Sequence, residues 1–162
     1  MQLIEVSNAS TAKQFIKVNV LMNAGNPNYI RPLDSEVDDV FNPEKNKHAK
    51  YGETKRWILK DDDGKLMGRI AAFTHSKYIN KGTEFTTGGI GFFDCINNQS
   101  VANQLFDAAK QWLQSKGMDA MDGPINFGDR DKWWGLLVEG FENEPMYGMP
   151  YNPPYYDQLF NG

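Results

Sequence analysis

The chain is poor in the residues that most often announce a mechanism. It holds a single cysteine, Cys95, which rules out an internal disulfide, and two histidines, His48 and His75, whose separation shows no metal-ligating pattern. No apolar run approaches the roughly 18 residues of a membrane-spanning helix. The start, MQLIEVSNASTAK, lacks the basic-then-apolar layout of a signal peptide. These absences together give a reducing cytoplasm as the expected location. Positive charge is also short: 17 Lys and Arg stand against 21 Asp and Glu, a net charge of −4. The acidic run at 34–39 and the lysine-bearing run at 45–56 leave no single-sign field suited to nucleic acid. Repeats and low-complexity segments are absent as well.

What is present is unevenly placed. At 162 residues with 40% apolar content, the chain is sized for one domain with a moderate core, so the expected organisation is one domain over 1–162. Aromatic residues make up 13%, and Trp133, Trp134, Phe141, Tyr147, Tyr151, Tyr155 and Tyr156 crowd together with four of the eight prolines. A core does not need indoles grouped in an irregular stretch, so this region reads as the lining of a cleft, or as a plug between diverging strands.

The stretch 88–124 reads as strand, loop, amphipathic helix and strand. Val101, Leu105, Ala108, Ala109, Trp112 and Leu113 recur at spacings of three and four, with Asn103, Asp107, Lys110, Gln111 and Gln114 opposite, and Gly117 stops the helix. Two strands joined through a helix and running the same way form a crossover that opens a ligand site at the carboxyl end of the first strand. Before it, 2–6 reads as a strand and Ser10 or Thr11 as the cap of a helix carrying Phe15, Val18 and Met22. A short helix starts at Asp34 or Ser35. Strands follow at 56–60 and 66–74, joined by the turn Asp61-Asp62-Asp63-Gly64, and a polar connection over 77–87 leads to the next strand. After Gly123-Pro124, residues 125–135 read as a long functional loop, 136–141 as a short strand or turn carrying Glu139, and 152–162 as a helix capped by Asn152.

That order, with GRIAAF, IGFFDC, VANQLFDAAKQWLQSKGMDAMDGPINF, GLLVEGF and MPYNPPYYDQL over nearly the whole chain, resembles GNAT-type N-acetyltransferase-like proteins of the bacterial BcerS- and YghO-like family. The resemblance implies an α/β (α+β) fold with a central mixed sheet in β-α-α-β-β-β-α-β-loop-α order. It also implies a C-terminally incomplete domain lacking the last two strands, whose uncovered sheet edge would favour a dimer or larger homo-oligomer. The activity implied is acyl-CoA-dependent N-acyl transfer, from acetyl-CoA or another acyl-CoA to an unknown small-molecule or peptide amine. The alternative is a non-catalytic binding or assembly module.

The family's pattern implies that the cofactor sits at Phe93, Asn97, Asn98 and Ser100, at the start of the crossover helix, where free amides favour an anion. The loop Asp94-Cys-Ile-Asn-Asn-Gln-Ser100 departs from that pattern in having no glycine and no cation, and Asp94 stands to repel a pyrophosphate. Tyr156 is the candidate acid for the departing thiolate, although the family's tyrosine position falls at Gln158 or Leu159, and Glu139 is the candidate general base. Asn126, Trp133, Trp134, Tyr151 and Asn152 are the candidate acceptor pocket. Cys95 reads as a buried structural thiol.

Overall fold

The computed structural model describes residues 1–77, 84–127 and 132–162; parts of the connection read at 77–87 and of the loop read at 125–135 lie outside them. In chain order the elements are β1 (Gln2–Glu5), α1 (Ala9–Met22), α2 (Asp34–Phe41), a 3-10 turn at Lys47–Tyr51, β2 (Thr54–Lys60) and β3 (Leu66–Phe73). β4 (Thr87–Cys95), α3 (Gln99–Ser115), β5 (Ala120–Asp122) and α4 (Tyr156–Asn161) complete them. The five strands form one sheet in sequence order, antiparallel from β1 to β4, with β5 parallel to β4. This is the mixed sheet and crossover expected from the pattern of the sequence. No helix among the described residues is long and apolar enough to cross a membrane.

Local chemistry sets the element ends. Helix α1 is capped two to three residues earlier than read, at Asn8: its side chain accepts from the Thr11 amide at 3.0 Å while the Thr11 hydroxyl accepts from the Asn8 amide at 3.2 Å. That reciprocal capping box satisfies two orphan donors at once, which neither Ser10 nor Thr11 alone would do. In the β2–β3 turn, the Asp61 carboxylate accepts from the amides of Asp63 and Lys65, and Gly64 takes φ +82°. At the end of α3, Gly117 with φ +77° lets its amide reach Gln114 and the Met118 amide reach Leu113, a Schellman closure. Helix α4 starts later than read. Asn152 instead binds Leu137 through both its amide and its carbonyl oxygen, and the six-residue helix opens at Tyr156 without a side-chain cap.

Two hydrophobic layers follow from strand alternation. On one face α3 buries Val101, Ala102, Leu105, Ala108, Ala109 and Leu113 against Leu59, Ile70, Ala72, Ile90 and Cys95, with Tyr156 and Leu159 of α4 beside them. Each such large side chain contributes about 1.5–3 kcal/mol. On the other face Phe15, Ile16 and Val18 of α1 and Val37 of α2 cover Ile58, Leu66 and Ala71.

The geometry that creates a site is a fork between β4 and β5. The two strands pair only from Thr87↔Ala120 to Gly89↔Asp122. The chain then crosses over β4, where the Ile125 amide donates to the Ile90 carbonyl at 2.8 Å. A Cβ on Gly91 would lie 1.9 Å from the Ile125 oxygen, so only glycine admits this crossing. Just past it, the β3–β4 register slips between the Arg69 and Ala71 pairs, and Phe92 adopts φ +49°. This bulge sends Phe92 toward the α1 and α2 layer while Phe93 packs in the α3 layer.

Gly91→Ala is expected to lower stability by about 1–3 kcal/mol in urea denaturation, because backbone must move to admit the methyl group. Gly25→Ala, with nothing within 4 Å of the new atom, is the control and should stay within about 0.5 kcal/mol of the parent. Equal effects at the two positions would show that the crossing is looser than described.

Candidate active site

Beyond the fork, at the end of β4, the sheet brings two opposite charges together. Arg69 and Asp94 are register partners on β3 and β4, 5% and 2% exposed, and the Arg69 Nε donates to Asp94 Oδ2 at 2.7 Å. Arg69 also donates to the Phe15 carbonyl and lies over the Phe15 ring. The Asp94 carboxylate accepts further from Asn19 Nδ2 at 3.0 and 3.2 Å and from the Tyr156 hydroxyl at 3.0 Å. Asn19 in turn accepts from the Tyr29 hydroxyl at 2.6 Å. A buried charge needs such a full set of partners to be tolerated.

These groups form the polar floor of a cavity of about 100 Å³. Its walls are mostly apolar, with Ile30, Val37, Phe92, Trp133, Leu136 and Met149 among them. Trp133 adopts φ +48° and packs on Phe92 at 5.7 Å between ring centroids, so the two non-glycine residues of left-handed backbone among the described residues meet in one wall. Such backbone is tolerated only where its surroundings hold it.

Burial shapes the acidity of groups in and beside this floor. Tyr29 and Tyr155 are pushed up to about 12, mainly by burial; the second contributor is the Asp94 charge for Tyr29 and Cys95 for Tyr155. Tyr156 is raised well above the usual phenol range by burial and then by Asp94, and burial lifts the Cys95 thiol to about 12. A thiol so raised stays protonated and is a poor nucleophile.

The expected site residues separate into three groups. Tyr156, Phe93, Trp133, Tyr151 and Asn152 all line the cavity. Tyr151 closes one side by donating to Asn26 Oδ1 and to the Phe141 carbonyl, and Asn152 holds the 136–137 segment against it. Asn97, Asn98 and Ser100 are exposed at the start of α3, where the Asn98 side chain accepts from the Val101 amide at 3.2 Å. Helix α4 stands between that start and the cavity, since Gln99 Nε2 donates to the Leu159 carbonyl and Phe160 lines the cavity.

The remaining three lie apart. Glu139 is exposed outside the lining, and Trp134 is 44% exposed. Asn126 is buried behind Phe127 in a more open groove of about 410 Å³, shared with Trp133. The floor itself, Asn19, Tyr29, Arg69 and Asp94, was not among the expected site residues. Its signal was available: an arginine within LMGRIAAF and an aspartate within IGFFDC are opposite charges embedded in adjacent apolar strands. The same pairing corrects the reading of Asp94, whose charge faces Arg69 rather than the loop. The histidines, distant in sequence, also meet, with His48 Nδ1 3.1 Å from His75 Nε2.

Removing part of this network has graded consequences. Asp94→Ala leaves Arg69 buried without its partner and should cost about 3–5 kcal/mol. Tyr156→Phe strips one bond each from Asp94 and the Cys95 amide and should cost about 1–3 kcal/mol. Urea denaturation compares them, and a Tyr156→Phe loss as large as that of Asp94→Ala would overturn the ranking. The raised tyrosines and thiol also set an alkaline limit. Their folded forms hold protons that the unfolded chain releases from about pH 9–10, so stability should fall as pH climbs from there toward 12. A melting temperature flat between pH 9 and 11 would contradict this.

Comparison with known proteins places this geometry. No family model matches the chain. It is 31% identical over 155 residues to the bacterial ceramide synthase of Caulobacter vibrioides, covering 96% of this chain and 40% of that protein. It is likewise 31% identical over 149 residues to Protein YghO of Escherichia coli, covering 92% of this chain and 37% of that protein. The chain thus spans well under half the length of these curated relatives. Among solved structures, AAC(6')-Iy bound to the bisubstrate analogue CoA-S-monomethyl-acetylneamine superposes with TM-score 0.54 at 16% identity, over 80% of this chain and 83% of that one. A predicted acetyltransferase with acetyl-CoA from Clostridium acetobutylicum gives 0.53 at 14%, over 85% and 96%. An acetyltransferase of the GNAT family from Staphylococcus aureus gives 0.50 at 14%, over 76% and 74%. Over the length it spans, the chain is a GNAT-fold protein of the family that includes the bacterial ceramide synthase and YghO.

Proposed function

We propose that this chain is the acyl-transfer domain of an N-acyltransferase, moving an acyl group from acyl-CoA to the amine of a lipid-like acceptor. The observation that carries the reading is the cavity at the β4–β5 fork, with apolar walls over a polar floor centred on Asp94. The names of the relatives support it, since a ceramide synthase joins an acyl group to a long-chain amine, and acetyltransferases share the fold.

Acyl-CoA, when bound, supplies the activated acyl carbonyl. The residues toward it are Asn97, Asn98 and Ser100 at the α3 start for the anionic end, and Phe93 beside the cavity for the acyl end. With Asp94 paired to Arg69, the nearest carboxylate is partly neutralised, which removes the main objection to an anion there. The edge of β4 at Cys95 is already engaged: its amide donates to the Tyr156 hydroxyl at 3.0 Å and its carbonyl accepts from the Tyr155 hydroxyl at 2.8 Å. The donor arm therefore runs beside these tyrosines rather than pairing with Cys95.

On the acceptor side, the amine is held over the polar floor, and Tyr151 and Trp133 confine it. Holding amine and carbonyl together in a cavity of about 100 Å³ supplies the proximity that acyl transfer requires. The amine must lose a proton to attack, and with Glu139 outside the lining that proton leaves through water at the cavity mouth. Tyr156 already donates to Asp94, so in this reading it fixes the carboxylate and holds the β4 edge; it is a positioning residue. Bond making between nitrogen and the acyl carbon releases the thiolate of CoA.

Incubation with palmitoyl-CoA and a long-chain amine should yield the amide, seen by mass spectrometry, with equimolar release of CoA thiol. Tyr156→Phe should lower kcat about tenfold while leaving the midpoint of the amine pH profile in place. Absence of product, together with no heat on calorimetric titration with acyl-CoA to millimolar concentration, would refute the reading.

A further inference from the structure

Acyl transfer makes one electrostatic demand on this cavity. As the amine nitrogen bonds to the acyl carbon, an electron pair of the carbonyl moves onto its oxygen, which carries negative charge until the C–S bond breaks. A buried oxyanion needs donors already aimed at it, and removing one such donor commonly costs the reaction about 10²–10³ in rate. Few donors in the cavity lining remain available.

Most are engaged inside the protein. The hydroxyl of Tyr29 donates to Asn19, that of Tyr151 to Asn26 and the Phe141 carbonyl, and that of Tyr156 to Asp94. The side-chain amide of Asn19 donates to Asp94, and that of Asn152 to the Leu137 and Pro153 carbonyls. At the end of β4 the Cys95 amide donates to the Tyr156 hydroxyl.

Arg69 differs. Its Nε donates to Asp94 and its Nη1 to the Phe15 carbonyl, which leaves the Nη2 amino group without a partner among the described residues. The buried side-chain nitrogens and oxygens without a partner there are Gln14 Oε1, Asn23 Oδ1 and Arg56 Nη1, so Nη2 of Arg69 is not sealed in packing. Arg69 lines the cavity while only 5% exposed, and the space that Nη2 meets is therefore the cavity.

The surroundings fix this free edge. The guanidinium lies 4.7 Å from the Phe15 ring centroid and 5.9 Å from that of Phe92. Both oxygens of Asp94 are turned to other donors, Oδ2 to Arg69 Nε and Asn19, Oδ1 to Asn19 and Tyr156. A cavity of about 100 Å³ keeps any carbonyl inside it close to the floor.

Building on the acyl-transfer reading, we propose that Arg69 is a catalytic residue whose Nη2 group hydrogen-bonds the acyl carbonyl oxygen and stabilises the negative charge that develops there. Arginine keeps its protons in proteins, so Arg69 supplies hydrogen bonds and charge and transfers no proton. When the C=O bond re-forms, the C–S pair departs with sulfur as the CoA thiolate, and the proton of the nitrogen leaves through water. The indole of Trp133 is the other side-chain donor of the lining without a hydrogen bond among the described residues; it is neutral, and Trp133 also borders the second groove.

A trifluoromethyl ketone analogue of acyl-CoA, with a methylene between sulfur and the ketone, reads this role without catalysis. In water the ketone is a gem-diol, which ionises to an oxyanion, and fluorine NMR follows that ionisation with pH. Bound to the protein, the diol should ionise at a pH lower by about 1–3 than when free, because a cation stands at hydrogen-bond distance. The guanidinium nitrogen signals of Arg69 should move with the same midpoint. Arg69→Lys keeps a cation against Asp94 but has no second edge to offer, and should bring the ionisation back near its free value. With palmitoyl-CoA and a long-chain amine, the same variant should lose about 10²-fold in kcat with KM for palmitoyl-CoA within about twofold of the parent. An ionisation that is not lowered in the parent protein, or Arg69 signals that stay still through it, would overturn the proposal whether or not the variant folds. So would a lowered value that survives Arg69→Lys, since Trp133 or a backbone amide would then hold the oxygen. Failure of the analogue to bind refutes the acyl-transfer reading and this role with it, whereas binding with the ionisation unmoved defeats the role alone.

Discussion

The structure depends on one buried ion pair. Arg69 and Asp94 face each other at 2.7 Å on neighbouring strands, almost fully buried. Two unpaired charges there would each cost several kcal/mol, so the pair is stable only with its remaining hydrogen bonds satisfied. The partners come from three other parts of the fold: Phe15 and Asn19 from α1, Tyr29 from the segment that follows it, and Tyr156 from α4. Each of these contacts draws a distant stretch of chain to the end of β4. The cavity is the space left where they converge.

The fork between β4 and β5 and the ion pair are consequences of the same local backbone. Gly91 lets the chain cross over β4, and the bulge at Phe92 changes which residues face each layer. Without the extra residue, the alternation of β4 would turn Asp94 away from Arg69. Phe92, displaced by the bulge, becomes the wall against which Trp133 packs. A single irregularity in one strand thus sets the floor, one wall and the mouth of the site.

Much of this was legible before any coordinates. Alternation in LMGRIAAF, the three-and-four spacing in α3 and the Asp-Gly turn each encode structure locally, and the sheet and crossover follow from them. Capping was less legible, because Asn8, Ser10 and Thr11 are all good caps and only the reciprocal bond decides among them. Asn152 resembles a helix cap, yet its amide is taken by Leu137, a partner that appears only when the 136–151 segment folds back. The candidate site was legible in its walls, since Trp133, Tyr151 and Tyr156 stand out as clustered aromatics. Its floor was not, because Asn19, Tyr29, Arg69 and Asp94 are scattered along the chain and meet only through the sheet register and the packing of α1. Exposure of Glu139 is likewise a tertiary fact: an apolar phrase around a carboxylate does not say which side faces water.

The central claim is that acyl donor and acceptor meet at the end of β4. Amide chemical shifts of 15N-labelled protein, followed during titration with a non-hydrolysable thioether analogue of acyl-CoA, test it most directly. The account predicts the largest shifts at Phe92, Phe93 and Cys95, at Asn98 and Ser100 of the α3 start, and at Tyr155 and Tyr156. Shifts confined to the β1 edge or to the polar face of α3, with the end of β4 silent, would contradict it.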